Sequence, residues 1–61
     1  MLQIIMQQTN SSWNVEIRRD AGLSLRHYPA TYEGEKRAEE FCQALSQILG
    51  SVEHSINIKR D

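Results

Sequence analysis

Trp13-Asn-Val-Glu-Ile-Arg-Arg-Asp-Ala-Gly-Leu-Ser-Leu-Arg-His-Tyr28 holds two alternating runs on either side of a short polar joint. Successive side chains of a strand point to opposite faces, so Trp13, Val15 and Ile17 share one face while Asn14, Glu16 and Arg18 share the other. Leu23 and Leu25 repeat the pattern, with Ser24, Arg26 and Tyr28 opposite them. Between the runs, Asp20-Ala-Gly22 reads as a three-residue hairpin loop, a type I turn closed by a residue at positive φ, which glycine adopts without a Cβ clash. If Ile17 and Leu25 lie on one face, Arg19 opposes Leu23. The register then predicts pairs of Arg18 with Ser24, Glu16 with Arg26, Asn14 with Tyr28 and Val15 with His27.

Upstream, Leu2, Ile4 and Met6 alternate with Gln3, Ile5 and Gln7, which predicts a strand over about 2–7, and Gln8-Thr-Asn-Ser11 supplies turn residues. The hairpin strands are expected over about 12–19 and 23–28. Downstream, Pro29 and Ala30 stop the third strand, and Thr31 is the expected N-cap of a helix over about 32–49. Its apolar stripe is Ala38, Phe41, Cys42, Leu45, Ile48 and Leu49. Gly34 weakens its first turn. Gly50 stands where a left-handed residue ends a helix, and Val52 is placed for the accompanying hydrophobic contact. Ser55-Ile-Asn-Ile-Lys59 alternates again and predicts a short fourth strand over about 54–59. The expected fold is a two-layer α+β domain: an antiparallel β-meander with one helix on one face. A right-handed crossover returns the fourth strand parallel to the first, in sheet order 4-1-2-3.

The chain of 61 residues reads as a single domain, residues 1–61. Domains this small bury only about 60% of their unfolded surface and gain from association. Seven Lys and Arg against eight Asp and Glu leave a net charge of −1 and a pI near 6.1, so no long-range field draws the chain to phosphate backbones. Cys42 is the single cysteine, which rules out an internal disulfide and fits a reducing compartment. Met1-Leu-Gln-Ile-Ile-Met6 lacks the basic segment and the apolar length of a signal peptide, so a cytosolic, cytoplasmic location without membrane contact is expected.

Chemistry is sparse. Cys42 on the helix stripe and His27 on the helix-facing side of the sheet are candidates for a thiol–imidazole contact, but a core cysteine behaves as a small hydrophobe. His27, Cys42 and His54 show none of the short ligand spacings of zinc or calcium sites, and the glycines form no phosphate loop. Glu33, Glu35, Glu39 and Glu40 interleave with Lys36 and Arg37 as a solvated helix face does, with Glu33 placed four residues before Arg37. The expectation is a protein that is not an enzyme, with no cofactor, no metal and no small-molecule substrate.

What remains is the sheet face opposite the helix, on which the register places Ile5, Asn14, Arg18, Arg26 and Tyr28 as the candidate partner-binding residues. A three-stranded sheet backed by one helix resembles, in architecture, the arm-type domains of phage integrases, and the resemblance implies nucleic-acid reading by such a face. The register pairs Glu16 with Arg26 and so neutralises one of its cations. A nearly neutral, amide-rich and aromatic face suits protein contacts better. The reading is a small protein–protein interaction module: a homodimer, an accessory subunit, or a small inhibitor of the kind phages and mobile elements encode. A sheet edge or the open face would make the contact. The alternative is a nucleic-acid-binding domain using the open face; solvent exposure alone also accounts for a polar sheet face.

Overall fold

Alternation over the first eighteen residues produces β1 (Leu2–Gln8) and β2 (Ser12–Arg18) in the computed structural model, which describes residues 1–60. They are followed by β3 (Gly22–Pro29), α1 (Tyr32–Leu49) and β4 (His54–Lys59). The elements are those expected, and strand ends differ by a residue. The sheet order is β3-β2-β1-β4; β1 to β3 form the antiparallel meander and β4 lies parallel to β1, with Ile4 beside Ile56.

Ile4, Met6, Trp13 and Val15 of the sheet and Ala38 and Cys42 of α1 are buried together, with Tyr28, Phe41, Leu45, Leu49 and Ile56 packed around them. Full burial of each larger aliphatic side chain contributes about 1.5–3 kcal/mol. Thr31 caps α1 as expected: its Oγ1 accepts from the Gly34 N–H at 3.0 Å. The helix stops at Gly50, at φ 56°, whose N–H donates to the Ser46 carbonyl at 3.0 Å. Ile48 departs from the expected stripe. It stands in the last turn of α1 and is 79% exposed. Val52 likewise stays mostly exposed instead of closing the helix end.

The hairpin register is where the structure corrects the sequence. The loop has three residues, but they are Arg19, Asp20 and Ala21, with Arg18 opposite Gly22. Gly22 has no positive φ; among the described residues only Gly50 does. From the turn the pairs are Ile17 with Leu23 and Glu16 with Ser24, and then the ladder jumps to Val15 with Arg26, Asn14 with His27 and Trp13 with Tyr28. Leu25 is the extra residue of a β-bulge. One unpaired residue inverts every side chain beyond it. Arg26 and Tyr28 therefore face α1, and His27 faces away, the reverse of the expectation. Burying the tyrosine ring beside Trp13 in place of an imidazole explains the preference, since the ring carries far more apolar area.

Gly34 has a structural reason that composition alone does not reveal. It is buried, and a Cβ on it would run into the backbone carbonyl of Pro29, where β3 ends against the first turn of α1. Gly34→Ala should therefore destabilise the fold by about 1–3 kcal/mol or more, which in a domain of this size lowers Tm by about 4–8 °C per kcal/mol. At Gly22 an added Cβ meets only the ends of the Glu16 and Arg18 side chains, which can swing aside. Thermal unfolding followed by circular dichroism checks the contrast, and equal Tm values for Gly34→Ala and Gly22→Ala would refute it.

Candidate interaction surface

On the face opposite the helix, three rows of side chains cross the sheet to β4, one from β2 and two from β3. They are Arg18-Gln3-Ser55, Ser24-Glu16-Ile5-Asn57 and His27-Asn14-Gln7-Lys59. The Asn14 Oδ1 accepts from the Ser12 Oγ at 3.1 Å and from His27 Nδ1, which leaves His27 Nε2 to accept from the Ser24 Oγ at 3.3 Å. Arg18 leans back on Glu16 at 3.4 Å, an exposed ion pair of small energetic value. Ile5 sits in the middle of this polar face yet is only 5% exposed, because the flanking side chains close over it.

The five expected contact residues thus do not make one surface. Asn14 and Arg18 remain on the open face and Ile5 is covered there. Arg26 lies on the other side, its guanidinium 5.1 Å from the Phe41 ring centroid, and Tyr28 packs against the core. The expected Glu16–Arg26 pair does not form, nor does a Cys42–His27 contact, since the bulge puts His27 and the helix on opposite sides. The spacing of apolar residues in β3, two from Leu23 to Leu25 and three from Leu25 to Tyr28, is the signal that marks the phase change.

A different surface takes shape on the helix side. α1 packs over β3, β2 and β1 and touches β4 least. Between α1 and β4 this leaves a groove with a cavity volume of about 540 Å3, floored by Met6, Cys42, Ile56 and Ile58 and walled on the helix by residues from Lys36 to Gln47. Two clasps bracket it. At one end Arg60 reaches over the Trp13 ring, 5.4 Å from its centroid, and donates to Glu35 at 2.8 Å with Glu39 3.8 Å away. At the other, His54 bonds Ser46 Oγ through Nε2 at 2.7 Å and the Val52 carbonyl through Nδ1 at 2.6 Å. Among the described residues, the outer edge of β4 pairs with no strand.

The two serine–histidine contacts have the order of a nucleophile, a base and an orienting acceptor, and neither lines the groove. Acyl transfer also needs donors aimed at a developing oxyanion. Ser46 lies in the last turns of α1, where the free backbone groups are carbonyl oxygens, the opposite polarity. Ser24 stands exposed on an edge strand. Both contacts tie elements together: His54 holds β4 to α1, and His27 holds β3 to β2.

Cys42 is buried at the groove's floor, and that burial, reinforced by the Glu39 carboxylate, pushes its thiol above the ordinary value. The folded chain therefore retains this proton at a pH where the unfolded chain loses it. The native state binds more protons, so stability is full below the ordinary thiol range near about 8.5 and falls as pH rises through it. Chemical denaturation at successive alkaline pH values should show a steeper decline for the native sequence than for Cys42→Ala, and parallel declines would count against this. Native Cys42 should alkylate far more slowly than the denatured chain.

No helix of the described residues is long and apolar enough to cross a membrane, and no group of three or more His, Cys, Asp or Glu among them converges as a metal site. Compared with known proteins, the chain matches no family, no curated protein and no solved structure.

Proposed function

We propose that the chain is a small non-enzymatic protein-binding module, an accessory subunit, inhibitor or self-associating domain, that meets its partner along β4. The supporting observation is the free β4 edge beside an apolar groove, with Ile58 47% exposed in the middle of it. Unpaired strand edges template further strands, and proteins that do not use an edge blunt it. The β3 edge is blunted. It carries the Leu25 bulge, ends in Pro29, and has Arg26 folded back, Nη1 donating to the Leu25 carbonyl at 2.9 Å. β4 has neither bulge nor proline nor an inward charge between its ends.

Nucleic-acid reading by the open face draws less support. With Arg26 and Tyr28 turned to the helix, that face keeps Arg18, already paired with Glu16, and Lys59 at the diagonally opposite corner. A photo-crosslinking residue at position 58, compared with one at Ser24 on β3, tests the module in cells. Position 58 should yield a crosslinked polypeptide, a copy of the chain or another protein, well above position 24. Equal background at both positions would remove the reading.

A further inference from the structure

We propose that the occupant of the β4 edge is a second copy of this chain, paired antiparallel through a two-fold axis at Asn57 so that two four-stranded sheets become one of eight strands. The inference rests on β4 being the binding edge and adds the identity of the partner and the register.

Directly opposed residues in an antiparallel pair lie on the same face of the sheet. When the two strands are copies of one sequence, a closed two-fold must then pass through a residue, not between residues. In β4, Ile56 and Ile58 face α1, beside Ile4 and Met6, while Ser55, Asn57 and Lys59 face the open side, beside Gln3, Ile5 and Gln7. An axis at Ile56 would set Ile58 opposite His54, and one at Ile58 would set Ile56 opposite Arg60. Only the axis at Asn57 opposes Ile56 to Ile58 on both sides of the dyad, with the amide of Asn57 meeting its own copy and Ser55 meeting Lys59.

That arrangement covers what the monomer leaves bare. Both helices stand on the same side of the joined sheet, the two grooves merge, and four isoleucines form their common floor. The helix walls fit as well. α1 runs against β4, since Glu35 and Glu39 meet Arg60 while Ser46 meets His54. The dyad therefore sets the charged Lys36 and Glu40 end of one helix alongside the uncharged Gln43 and Gln47 end of the other. Like charges do not meet. The cross-strand pairs supply the register, and the burial of Ile56 and Ile58 supplies the attraction.

Sedimentation equilibrium and native mass spectrometry of the full chain should find a species of twice the 7.1 kDa monomer mass. Asn57→Asp places two carboxylates across the dyad and should weaken association about tenfold or more, and Asn57→Lys should do the same, because like charges directly opposite repel. An equimolar mixture of the two variants should restore the dimer as a heterodimer, which no effect on folding of the single variants explains. Without any variant, a mixed-isotope NMR sample should give intermolecular contacts between Ile56 and Ile58. A strictly monomeric chain overturns the proposal, as does a dimer indifferent to both Asn57 variants. If the chain is monomeric while position 58 still crosslinks to another protein, the self-pairing fails and the module stands; if it is monomeric and position 58 crosslinks to nothing, both fail.

Discussion

One helix has to cover four strands. Strands about 4.8 Å apart make a four-stranded sheet roughly 19 Å wide, and a helix with its side chains is only about 10 Å across. The eighteen residues of α1 therefore cannot shield both edges, and the connections decide which edge loses. Pro29 leads straight into the first turn, and the close approach of Gly34 to the Pro29 carbonyl draws that end of the helix down on β3. From there the helix covers β3, β2 and β1, and the deficit falls on β4. Arg60 and the Ser46–His54 bond hold the two ends of the resulting gap but leave its middle open.

Much of this was legible in the residues. Periodicity located every strand and the helix, and Thr31 and Gly50 mark the helix ends for local, steric reasons that sequence displays directly. The sheet order followed from short connections and the parallel return. The faces of β3 beyond Leu25 turn on a phase change that only the three-residue step from Leu25 to Tyr28 marks in the sequence, and the turn chemistry around Gly22 fits more than one register. The bulge is decided by tertiary packing, in which Tyr28 competes with His27 for the space beside Trp13. That competition removed Arg26 and Tyr28 from the surface on which the sequence places them.

The groove was hidden for a related reason. In the sequence Ile56 and Ile58 read only as one apolar side of a short strand, and the position of the helix relative to β4 is what shows them half-covered. Arg60 carried no signal at all in the sequence, since its partners Glu35 and Glu39 lie on another element and read as ordinary members of a solvated face. Cys42 followed expectation: placed on the buried stripe, it is held protonated by burial and by the Glu39 carboxylate, which suits a packing group and not a nucleophile.

The parallel pairing of β1 with β4, from Leu2 with His54 to Gln7 with Lys59, joins residues farther apart in sequence than any other strand pairing among the described residues. The meander needs only short loops and can close early, whereas this ladder waits for the helix and everything after it, because long-range parallel contacts carry the larger loop-closure cost. Until β4 arrives, the open edge in the nascent molecule belongs to β1, whose Ile4 and Met6 are fully buried in the finished fold. During synthesis the chain is therefore most vulnerable to wrong partners along its central strand, and the arrival of β4 moves the exposed edge outward to a strand with half-covered isoleucines and a polar centre.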